Sequence, residues 1–194
     1  MTTETVLPVD PIAQAVAVAD QWTEPQAAPV EPAEPAAAKE LLIINYSGDL
    51  EKVWAMLILA STSGAMGVRT RVFVTFWGLQ VFVKDSTRIT GENWMQKMLS
   101  AMQRPGVSHR KLSKMNFLGM GPWMMGTLAK RYGVASPKEL LEAAQEMGVE
   151  FIPCQMTMDM FGLKREDMID GLGEPVGAAT VIGLITDNSV PIFI

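Results

Sequence analysis

Leu41-Leu42-Ile43-Ile44-Asn45-Tyr46, closed by Ser47-Gly48-Asp49, is the stretch on which the fold turns. The run is apolar without alternation. That pattern marks a strand buried on both faces, as in a parallel sheet. Asp49 is placed to cap a helix from Leu50 to about Ala65, and Gly67 lies where a glycine stop belongs. Thr70 to Trp77 is a second strand, rich in β-branched and aromatic residues. Gly78-Leu79-Gln80 breaks it, and Val81 to Val83 reads as an extension or as the start of a crossover. Glu92 to Met102 reads as a short helix ended by Pro105-Gly106. Ser136-Pro137-Lys138-Glu139 opens another, with Ser136 as cap, Pro137 in the first turn and Glu139 completing a capping box. That helix stops at Gly148, and Val149 to Pro153 is the next strand. Gln155 to Phe161, Lys164 to Asp170 and Gly177 to Thr186 read as helical, and Val190 to Ile194 as a last strand. Strands alternating with helices define an α/β chain with a mainly parallel sheet.

Composition divides the chain in two. Residues 1–40 hold six of the twelve prolines and carry seven acids against one base. This Pro/Ala/Glu-rich segment cannot bury a core and is expected to be a disordered tail ahead of a domain at 41–194. The domain carries fourteen acids and fifteen bases. Its near-neutral balance argues against nucleic acid as a partner. The first residues lack the basic and apolar regions of a signal peptide. Val53 to Val68 and Met115 to Ala129 are uncharged over sixteen and fifteen residues. Both fall short of the roughly 18 to 20 apolar residues that span a bilayer. Buried core helices are the favoured reading and membrane contact the lesser one.

Cys154 is the only cysteine, placed where the strand Val149–Pro153 meets a helix. A lone thiol forms no intrachain disulfide and builds no four-ligand zinc site. It is either a buried core residue or a nucleophile acting alone. Ligands of open α/β sheets bind outside the carboxyl ends of strands, and a helix N-terminus favours the thiolate. Around it, Met156, Met158 and Met160 read as core packing or as a soft apolar collar. Asp159 reads as a solvated or capping group.

Other residues carry weaker signals. His109, the only histidine, sits in a basic loop with Arg104, Arg110, Lys111 and Lys114. A solvated loop is the simplest reading; a base for Cys154 or a face for an acidic partner or anion is the alternative. Ser47-Gly48-Asp49 is too short for a phosphate loop and reads as turn and cap. Trp77 reads as core or pocket wall and Gly78 as the break that opens the sheet edge. No motif marks a flavin, a nicotinamide or a metal, so no cofactor is expected.

Four segments carry a family resemblance: Ile44 to Lys52, Val74 to Leu79, Pro153 to Gly162 and Gly177 to Thr180. Together they resemble the DsrE/DsrF-like proteins of bacterial sulfur relay, in the subgroup with one cysteine. The resemblance covers about residues 40–194. It implies a flavodoxin-like three-layer sandwich, a homo-oligomer and a cytoplasmic sulfur carrier. It implies a persulfide on Cys154, exchanged with TusA-like or rhodanese-like partners. Persulfide transfer is related to thiol–disulfide exchange and needs a thiol that a partner can reach. The competing class is a non-catalytic module that holds a small ligand or assembles a complex around a buried structural cysteine. A one-cysteine peroxidase is a weaker third, since neither a second cysteine nor a Thr-x-x-Cys pattern is present.

Overall fold

The computed structural model describes residues 40–87, 90–102 and 105–194. Residues 1–39 of the expected tail, and Arg104 of the basic cluster, lie outside the described residues.

The first apolar run forms β1 (Glu40–Asn45), followed by helix α1 (Leu50–Ala65) and β2 (Thr70–Val74). Two short helices come next, α2 (Phe76–Leu79) and α3 (Trp94–Met102). Then follow α4 (Met120–Arg131), α5 (Pro137–Glu146), β3 (Glu150–Pro153) and α6 (Gln155–Phe161). The described chain closes with α7 (Ala178–Asn188) and β4 (Ser189–Phe193). The four strands make one parallel sheet in the order β3-β2-β1-β4. Asn45, Val74 and Pro153 end their strands in register, which sets the carboxyl edge.

Alternate residues of β1, β2 and β3 feed two cores, while β4 is an edge strand with Val190 and Phe193 exposed. Ile43, Val72, Val74 and Phe151 pack with Val53, Met56 and Leu57 of α1 and with Leu141 and Ala144 of α5. Leu42, Phe73 and Ile152 turn the other way and pack with Cys154 and with Val181 of α7. The sheet is thus covered on both faces, the arrangement that a continuous apolar strand requires. The uncharged run from Val53 supplies the buried face of α1, with Val53, Met56, Leu57 and Ala60 inaccessible and Ile58 and Leu59 exposed. The run from Met115 is not the buried core helix expected of it, since Trp123, Met124 and Leu128 of α4 are exposed. Among the described residues, no helix is long and apolar enough to cross a membrane.

Several local expectations need correction. The second strand ends at Val74, not Trp77, because the chain turns into α2 through Phe76 at a φ of 45°. Val81 to Val83 do not extend it; Gln80–Phe82 is a turn of 3-10 helix buried in the first core. Asp49 occupies the N-cap position of α1, but its carboxylate binds Lys52 Nζ and the Ser47 hydroxyl at 3.0 Å instead of a helix N–H. Lys164 to Asp170 yields only a 3-10 turn at Arg165–Asp167. The capping box at Ser136 is present in full: Glu139 N–H donates to Ser136 Oγ at 3.3 Å, and Ser136 N–H to Glu139 Oε2 at 2.7 Å.

Candidate functional site

Cys154 follows β3 directly and takes the N-cap position of α6, with extended backbone (φ −80°, ψ 115°). Its backbone is held from both sides. The Cys154 N–H donates to Val74 O at 2.9 Å, and its carbonyl accepts from Met158 N–H at 3.0 Å. Residues 172–176 run alongside as a partner to β3, with Val176 N–H donating to Pro153 O and Gln155 N–H to Val176 O, both at 3.0 Å. The first free N–H of α6 therefore points to a carbonyl rather than to the sulfur. The helix has only seven residues, so its dipole is short.

The side chain of Cys154 is 3% exposed. It faces the second core, beneath Val176 and α7, among Leu42, Phe73, Ile152 and Val181. This burial is the main departure from what sulfur transfer asks of the residue. Gly177 to Thr180 are exposed, and α7 covers this core with Val181, which is buried, and with the partly buried Leu184 and Ile185.

The three methionines divide as their positions on α6 dictate. Met158 is buried at 3%, whereas Met156 and Met160 are exposed at 58% and 42%. Met158 packs in the first core, on the opposite side of the sheet from the Cys154 sulfur, and Met156 and Met160 lie at the surface. Asp159 is exposed and accepts from Gln155 Nε2 at 2.7 Å, a solvated group as expected.

Sequence reasoning missed what holds α6. Thr157 is inaccessible, and its hydroxyl meets Thr75 Oγ1 at 3.0 Å and accepts from Phe76 N–H at 3.2 Å. Trp77 stacks on Phe161 with centroids 5.2 Å apart. The turn after β2, strained at Phe76, thus clasps the helix after Cys154. A threonine in mid-helix is the one trace of this in the sequence, since threonine is a poor helix former without another use. Asn45 is a second buried polar group. Its Oδ1 accepts from Ser47 N–H at 3.1 Å, while Nδ2 has no hydrogen-bond partner among the described residues.

The remaining sequence candidates gather elsewhere on the same edge. Ser47, Gly48, Asp49, Lys52, Trp77, His109, Arg110 and Lys111 line a cleft of about 480 Å³ beside the start of α1. His109 Nδ1 lies 3.5 Å from Asp85 Oδ1, and Cys154 is not among the residues lining this cleft. Burial pushes the Arg110 guanidinium down to about 10 against the opposing charge of Asp85. Lys114 lines an apolar groove with Met115, Phe117 and Met124 instead. Among the described residues, no group of three or more His, Cys, Asp or Glu side chains is placed to hold a metal ion.

A parallel sheet ending in one thiol, inside a domain of this size, defines a single-cysteine α/β domain. The chain belongs to the DsrE/DsrF/DrsH-like family, which it matches over residues 37–193. It is 36% identical over 159 residues to the Sulfur carrier protein DsrE2 of Allochromatium vinosum, covering 80% of this chain and 98% of that one. It is 35% identical over 156 residues to the uncharacterized protein YrkE of Bacillus subtilis, covering 80% and 97%. Among solved structures, MTH1491 of Methanobacterium thermoautotrophicum, a protein of unknown function, aligns with a TM-score of 0.48 at 14% identity, over 80% of this chain and 99% of that one.

Proposed function

We propose that this protein is a sulfur carrier that holds sulfane sulfur on Cys154 and passes it to partner proteins. The supporting observation is a single thiol, fixed at the end of a strand, in a chain whose family includes a relative named as a sulfur carrier. Loading is a displacement at sulfur. The Cys154 thiolate attacks the outer sulfur of a donor persulfide, a new S–S bond forms at Cys154, and the donor leaves as a thiolate. Delivery repeats the step with an acceptor thiolate attacking the outer sulfur on Cys154. Neither step changes the total oxidation state, and neither needs a second cysteine in this chain. The protein acts as a carrier more than as a turnover enzyme. TusA-like or rhodanese-like proteins are the proposed partners, the assembly a homo-oligomer and the compartment the cytoplasm.

With Cys154 buried, exchange requires Val176 and the first turn of α7 to part from the sheet. The test is intact mass after incubation with a persulfide donor. A gain of one sulfur, absent in Cys154→Ser and lost on adding an acceptor thiol, supports the reading. No adduct on the wild type, or an equal adduct on Cys154→Ser, overturns it.

The burial of Cys154 favours a second reading, a non-catalytic module that binds a small ligand or assembles a complex. There the thiol is structural and reacts with iodoacetamide only as fast as the domain unfolds. Rapid labelling of the folded protein at neutral pH excludes it.

A further inference from the structure

We propose that the cleft beside the start of α1 is a binding site for a small organic anion with a phosphate- or sulfonate-type head group. The floor is backbone packed so closely that no side chain fits. A Cβ at Gly48 would stand 2.6 Å from Trp77 O and 3.3 Å from Arg110 Nη1. The basic loop is anchored over it, because Leu50 N–H donates to Lys111 O at 2.8 Å. This bond sets Arg110 and Lys111 opposite the turn Ser47-Gly48-Asp49.

Charge then selects the occupant. Lys52, Arg110 and Lys111 line the cleft with His109, against the carboxylate of Asp49 in the lining and that of Asp85, which lies beside His109 and faces the charge of Arg110. Asp49 accepts from Lys52 Nζ and from the Ser47 hydroxyl, so Lys52 and Asp49 form an ion pair within the turn and the excess positive charge lies on the Arg110 and Lys111 side. Arg110 is only 8% exposed and its Nη1 reaches the turn at Gly48, so its planar guanidinium is held in one place beside the cleft. Such a fork suits a bidentate oxyanion better than a single point charge. A domain with nearly equal acids and bases has gathered an excess of bases in one concavity.

Size and lining define the rest of the ligand. A bare oxyanion leaves most of 480 Å³ empty, whereas small-molecule sites run from about 300 to 1,000 Å³. Tyr46, Trp77, Ala101 and Met102 supply apolar and aromatic wall for an organic body. The position, outside the carboxyl ends of β1 and β2, is where open parallel sheets bind ligands.

The probes are phenyl phosphate, inorganic phosphate and chloride, titrated calorimetrically into the full chain at constant ionic strength. The expected result is saturable binding of phenyl phosphate, weaker binding of inorganic phosphate and none of chloride. Lys52→Gln and Lys111→Gln, both at the surface, each weaken phenyl phosphate about tenfold. Arg110→Lys keeps the charge but not the fork and weakens it comparably, with an unchanged unfolding midpoint as the control for folding. Cys154→Ser binds as the wild type does, so this site and the sulfur-carrier reading stand or fall separately. Absence of saturable binding, or equal affinity in Lys111→Gln and wild type, overturns the proposal.

Discussion

Thr75 and Thr157 meet hydroxyl to hydroxyl at 3.0 Å, in a place where neither is accessible to solvent to any extent that matters. One closes β2 and the other lies in the first turns of α6, so the contact fixes the helix that follows Cys154. Thr157 also accepts from Phe76 N–H, which holds the turn in its left-handed conformation. Thr157→Val leaves Phe76 N–H and the Thr75 hydroxyl without this partner and is expected to cost about 1–3 kcal/mol. Thr157→Ser restores most of that. Urea unfolding of the pair against wild type checks both.

Val181 packs over Cys154 together with Val176, Leu184 and Ile185 and is the most buried of the four. Val181→Ala removes two buried methyl groups at the contact and is expected to destabilise the domain by about 1–3 kcal/mol. It is also expected to speed alkylation of Cys154 well beyond the change in global stability, because α7 parts locally. Iodoacetamide labelling rates measured beside unfolding free energies separate the two effects. Equal proportional changes would mean that the thiol is reached only by global unfolding.

Gly162 ends α6 at a φ of +66°, a conformation that glycine adopts without penalty. A Cβ there would also lie 2.3 Å from Gly91 Cα. Gly162→Ala combines backbone strain with a backbone clash, and a loss of at least about 1–3 kcal/mol is expected. The midpoint of thermal unfolding reports it.

Glu51 carries a pH signature. Burial alone raises its carboxyl, but hydrogen bonds from the Ser113 hydroxyl and from backbone N–H groups outweigh this and hold it below the ordinary 4.5. The folded value lies below the unfolded one, so its contribution is complete above 4.5 and fades as pH falls through the folded value. Glu51→Gln is expected to narrow the gap in stability between neutral and acid conditions. Unfolding curves of variant and wild type across that range measure the difference.

Ser136 and Glu139 form the reciprocal cap of α5. Ser136→Ala is expected to cost about 1 kcal/mol. The expectation here came from four residues of sequence and survived in full, since capping is a local interaction that the residues carry with them. β1 was legible for a related reason: a run such as LLIINY has few ways to satisfy its backbone other than between two strands. The features that sequence left obscure are all non-local. The end of β2 depends on Phe76 N–H finding Thr157, some eighty residues away. The burial of Cys154 depends on α7 coming back over the sheet, and nothing near Cys154 in the chain records that. The convergence of Gly48, Trp77 and Arg110 at one cleft likewise joins three separate loops.

The sheet order places β4 against β1, so the earliest strand gains its second neighbour only when the latest strand has been made. During synthesis, α1, β2, α5 and β3 can already assemble the first core while the opposite face of the sheet stays bare. Cys154 lies on that bare face. The one segment that runs through α7 to β4 therefore both covers the sulfur and gives β1 its second neighbour, so burial of the thiol and completion of the sheet depend on the same long loop closing back on β1.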